Sequence, residues 1–128
     1  MEILLGHLFG DYMFQSKPMA LQKSKKGIKG FGWCLLHSLL YTFGIYVFFR
    51  DKPWYIYVTI AVTHFLIDRY RYGLKWLYLI NGRDYTKLPE MGIWYETEIT
   101  FNCLVYTVVD NTLHLLVLWW LLAQPLAG

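Results

Sequence analysis

The chain has 128 residues, 56% of them apolar, 20% aromatic and only 16% charged, with a formal net charge of +3. That length holds one domain, residues 1–128, and that composition excludes an average soluble domain. What fits is an all-α protein: an integral membrane four-helix bundle with a short first helix.

The first predicted helix covers Ile3 to Gln15. At this length it spans a bilayer only where the bilayer thins or neighbouring helices support it. It lacks a basic leading region, and "LFGDYMFQS" is a poor cleavage site, so no removable secretory leader is expected. A basic loop, "SKPMALQKSKKGIKG", follows. The second helix, Phe31 to Phe49, runs for 19 positions without a formal charge. At ~1.5 Å per residue it nearly matches the ~30 Å of bilayer hydrocarbon. After the "RDKP" turn, Pro53 suits the first turn of a third helix reaching Tyr70 and continuing along the interface through "GLKWLYLI". Residues 81–92, "NGRDYTKLPEMG", read as loop. The fourth helix runs from Glu96 to Leu122, its leading Glu96 and Glu98 matching the positive end of the helix dipole. Cys34 and Cys103 lie inside apolar helices and read as small hydrophobes.

The basic residues set the orientation. Lys17, Lys23, Lys25, Lys26 and Lys29 lie in the first loop; Arg69, Arg71, Lys75, Arg83 and Lys87 lie in or beside the third; only Arg50 and Lys52 lie in the second. By the positive-inside rule, loops one and three are cytoplasmic and both termini are outside. Lys23, Lys25, Lys26 and Lys29 are then expected to face anionic lipid rather than nucleic acid. Trp33, Trp76 and Trp94 fall near the inner surface, and Trp54, Trp119 and Trp120 near the outer one.

Against this apolar background stand four intramembrane histidines. "HLFGD" puts His7 and Asp11 one turn apart, "HFLID" does so for His64 and Asp68, and "DNTLH" reverses the order with Asp110 and His114. Helices one and three run inward and helix four runs outward, so the reversal presents every Asp toward the cytoplasm and every His about 6 Å further out. His37 of helix two reaches the same zone. An uncompensated central Asp costs roughly 2.5–3.5 kcal/mol on insertion scales. No Lys or Arg is expected at that depth, although Arg69 and Arg71 can snorkel toward Asp68. Divalent metal is the economical partner, because carboxylate and neutral imidazole are its natural ligands and i, i+4 spacing converges two of them. His7, Asp11, His37, His64, Asp68, Asp110 and His114 are the candidate ligands, with Gln15 and Asn111 behind them. Zinc is the expected ion, at one or two positions; three carboxylates and one hydroxide would balance two divalent charges. A hydrogen-bonded polar or proton network is the alternative.

"GHLFGDYMFQSKPMA", "LLHSLLYT", "THFLIDRYR" and "VVDNTLHLL" resemble, over nearly the whole chain, the bacterial and phage membrane family catalogued as domain of unknown function 3307. The resemblance implies a small multispanning membrane protein and carries no activity with it; the expected location is the bacterial inner membrane. More distantly, helical HxxxD motifs are similar to those of membrane-bound metal-dependent hydrolases and zinc phospholipase C enzymes.

The expected function is metal-dependent hydrolysis of a phosphoester or related bond in a lipid-associated substrate. No P-loop, GxSxG or base-paired Ser or Cys supports covalent catalysis. Two other readings compete: a noncatalytic membrane module stapled by metal or by its His/Asp network and engaging another membrane protein, and ion or proton passage through a homo-oligomer.

Overall fold

In the computed structural model, which describes residues 1–82 and 95–123 (for residues 81 and 95–98 the backbone only), every regular element is helical. Helix α1, Glu2–Leu8, continues into a π-helical turn, Phe9–Met13. Then come α2, Lys17–Gln22; α3, Ile28–Phe48; α4, Trp54–Tyr70; α5, Tyr72–Asn81; and α6, Tyr95–Leu122.

Three expectations need correction. The first helix ends at Met13 rather than Gln15, its last turn widened to π geometry. The expected basic loop contains α2, because Ser16 accepts a hydrogen bond from the Met19 amide at 3.5 Å and Pro18 fits the first turn. The third helix does not continue through "GLKWLYLI". Arg71 adopts a left-handed conformation (φ 51°, ψ 52°), which stops α4 and restarts the chain as α5 in a new direction. Most of the expected loop at 81–92, including Arg83 and Lys87, lies outside the described residues, as does Trp94.

α3 and Ile99–Leu122 of α6 are long and apolar enough to cross a membrane. α4 has 17 residues. Apolar side chains are common on the outer faces of the helices, and a set of polar ones is buried inside. Leu39, Phe43, Val58, Leu104, Leu116 and Trp119 are exposed, while His7, His37, His64, Asp68 and His114 are buried. Tyr41, Ile45, Ile60, Leu118, Leu121 and Leu122 form an apolar plug, backed by Ile3, Phe49 and Ile56, at the end where α1 and α4 begin and α3 and α6 finish. Cys34 is buried and Cys103 exposed, both as free thiols.

The α1–α3 crossing depends on two glycines. A Cβ on Gly44 would lie 2.7 Å from the Gly10 Cα, and one on Gly10 would lie 2.8 Å from the Tyr41 carbonyl oxygen. Only backbone-to-backbone approach of this kind lets so short a first helix bring His7 and Asp11 against α3.

Candidate metal centre

The polar side chains converge from four helices beside the apolar plug. Asp68 is the hub. Its Oδ2 lies 3.2 Å from His37 Nε2 and 3.4 Å from His64 Nε2, and its Oδ1 lies 3.4 Å from His114 Nε2. Asp11 approaches from the π turn, its Oδ1 3.0 Å from His37 Nε2. The i, i+4 spacing brings His64 to Asp68 along one helix face, while the other two imidazoles arrive by helix packing.

Two overlapping groups offer ligand atoms all within 4.8 Å of one another: Asp11, His37 and His64, and His64, Asp68 and His114. For a tetrahedral ion with bonds of ~2.0–2.1 Å, neighbouring donor atoms stand about 3.3 Å apart, which the Asp68 contacts match. The hydrogen-bond inventory fits the same chemistry. His64 Nδ1 and Asp110 Oδ1 are buried without a hydrogen-bond partner, and the Nε2 atoms of His64 and His114 have only the 3.4 Å approach of Asp68. Buried imidazoles this loosely satisfied are costly, and a cation coordinated by one nitrogen of each would offset part of that cost.

His7 is built differently. Asn111 Nδ2 donates to the Thr107 carbonyl at 2.7 Å, which turns Asn111 Oδ1 toward His7 Nε2, also at 2.7 Å. An oxygen there requires the proton on Nε2, so Nδ1 accepts from the Tyr41 hydroxyl at 2.9 Å. Both nitrogens of His7 are thereby committed, and His7 belongs to neither ligand group; its Nε2 stands 3.9 Å from Asp11 Oδ2. Asp110 is likewise outside both groups, 3.8 Å from His114 and packed against the backbone of α5, where a Cβ on Gly73 would come within 2.9 Å of its Oδ1. Asn111 thus supports His7, whereas Gln15 carries a buried Oε1 without a hydrogen-bond partner.

Lys23, expected to face lipid with its neighbours, instead reaches into the cluster. Its Nζ lies 2.6 Å from Asp68 Oδ2 and 3.1 Å from His37 Nε2. Lys25, Lys26 and Lys29 are exposed. Arg69 and Arg71 do not pair with Asp68 either. Arg69 Nη1 donates to the carbonyls of Lys23 and Lys25, and Arg71 Nη2 donates to Ser24 Oγ at 2.6 Å, so the two arginines fasten the turn that carries Lys23. Tyr41, also unanticipated, stacks on His64 with ring centroids 3.7 Å apart and interplanar angle 18°. Its place four residues after His37 on the same helix face was the available signal.

Exposure is graded across the cluster. The imidazoles are sealed, with side-chain exposures of 0–2%, whereas those of Asp11, Asp110 and Lys23 are 11%, 15% and 16%. The carboxylate side therefore meets the surroundings, and the imidazole side meets the plug.

The family model described as Protein of unknown function (DUF3307) matches residues 1–126, and the chain belongs to that family. No curated protein and no solved structure matches the chain.

Proposed function

We propose that this DUF3307 protein is an integral membrane protein that binds divalent metal in its His/Asp cluster, and uses it to hydrolyse a phosphoester or related bond in a lipid-associated substrate. The observation that carries this reading is the convergence of Asp11, His37, His64, Asp68 and His114 into two ligand groups sharing His64. Zinc suits that mixture of imidazole and carboxylate. When bound, such a metal polarises a substrate oxygen and lowers the pKa of a coordinated water. The chain's own residues would hold it, orient it through the Tyr41–His64 stack, and exclude water on the plug side. Partial exposure of Asp11 and Asp110 supports substrate entry from the carboxylate side, where the basic loops favour an anionic headgroup.

The test is a panel of phospholipids, lipid-linked phosphates and nucleotides incubated with metal-loaded protein in bilayer discs. The expected result is cleavage of a lipid-associated member, lost in His64→Ala. A metal-loaded protein that leaves the whole panel intact counts against hydrolysis.

The second reading is a noncatalytic membrane module, and the observation that favours it is Lys23. Its ammonium already neutralises Asp68, which lets the polar network stand without metal.

In both readings α1 with its π turn, α3, α4 and α6 cross the inner membrane with both termini outside. Thiol labelling checks this in a Cys103→Ser background. A cysteine at Lys26 is expected to be protected from a membrane-impermeant reagent in intact cells, and a cysteine at Lys52 to react. The opposite pattern overturns the orientation.

A further inference from the structure

Resting on the metal-binding reading, we propose that Lys23 is a resident cation of this centre: its ammonium occupies the space at Asp68 and His37 into which a divalent ion enters, and metal entry displaces it. The Lys23 Nζ lies 2.6 Å from Asp68 Oδ2 and 3.1 Å from His37 Nε2. His37 and Asp68 belong one to each of the two overlapping ligand groups. An ammonium at that distance and a metal bonded to the same carboxylate oxygen exclude each other, by charge and by volume.

The surrounding architecture suits an exchange. Arg69 and Arg71 hold the backbone and Ser24 of the turn, so Lys23 can leave without unfastening it. A lysine has the flexible four-carbon stem that such a movement needs, where an arginine would be locked by its planar fork. The side chain starts at the partly exposed rim of the cluster, which gives it a short way out. One positive charge then always faces Asp68, either the ammonium or the metal, and Asp68 is never left buried alone.

Zinc alone is the probe. Affinity is measured by chelator competition in wild type and Lys23→Met, a substitution that keeps length and removes charge. Lys23→Met is expected to bind zinc about tenfold more tightly, the order of one charge-assisted hydrogen bond relieved of competition. Before zinc is added, the same variant is expected to melt below wild type, and zinc to restore it. A second measurement needs no variant: amine-reactive labelling of wild type followed by peptide mapping should rise at Lys23 on zinc addition and stay level at Lys26. If wild type binds zinc, but Lys23→Met binds it no more tightly and Lys23 labelling is unchanged, the resident-cation role is overturned and the metal site stands. If neither protein binds zinc, both readings fall together.

Discussion

Asp68→Asn is expected to strip the protein of most of its metal and to lower its melting temperature even in metal-free preparations. The substitution preserves shape but removes the charge that faces three imidazoles and an ammonium at once. Lys23 then remains beside an uncharged amide, and breaking a buried pair by removing one partner costs about 3–5 kcal/mol. Elemental analysis of protein purified without metal-affinity resin, together with thermal unfolding in detergent, measures both effects. Asp110→Asn provides the contrast. Because Asp110 stands outside both ligand groups, its loss is expected to reduce metal content less. Equal losses in the two variants would show that the ligand set is wider than the two groups.

The other large effect belongs to a residue with no polar chemistry. Gly44→Ala places a methyl 2.7 Å from the Gly10 Cα and 3.0 Å from the Gly10 amide nitrogen. Both are backbone atoms, so no rotamer change relieves the clash, and α1 must retreat from α3. Overpacking of this kind costs about 1–3 kcal/mol, and the retreat also pulls Asp11 away from His37. Loss of metal binding together with reduced stability is the expected outcome. Gly32→Ala on the same helix meets nothing within 4 Å and is expected to leave both unchanged or to raise stability slightly. If Gly44→Ala behaves like Gly32→Ala, the close crossing is not what positions Asp11.

What could be read in advance follows from the range of each signal. The paired spacings of His7 with Asp11, His64 with Asp68 and Asp110 with His114 are local, and helix periodicity turns them directly into shared faces. The gathering of histidines from four helices was legible through the reversed order in α6 together with the basic loops. Membership of the ligand groups was not. His7 and His64 carry the same motif, yet one is tied up by Tyr41 and Asn111 while the other has a free Nδ1 and only a long contact from Nε2 to Asp68. That difference is decided by residues 34 and 104 positions away. Lys23 was missed because a charge in a polar loop ordinarily points to water. Its inward direction depends on α2 and on two arginines 46 and 47 positions from the residues they hold. The break at Arg71 was hidden for a related reason: a left-handed arginine has no sequence signature like that of glycine, and tertiary packing imposes it.

The π turn at Phe9–Met13 has a consequence for how the molecule tolerates changes of length. A π turn holds one residue more than the α-helical path around it, like an extra tooth in a gear. Upstream of it, α1 shows His7 to α3; downstream, Phe14 packs edge-on to Phe9 and tilted against Phe43, and Ser16 opens α2. Removing one residue other than Asp11 within the turn would let it close to α geometry while the segments on either side keep nearly their helical phase. What changes is local: the widened turn that carries Asp11 toward His37 closes up, while Phe14 and the start of α2 stay near their places. A single lost codon there would thus loosen Asp11 from His37 while leaving the resident charge at Lys23 facing Asp68.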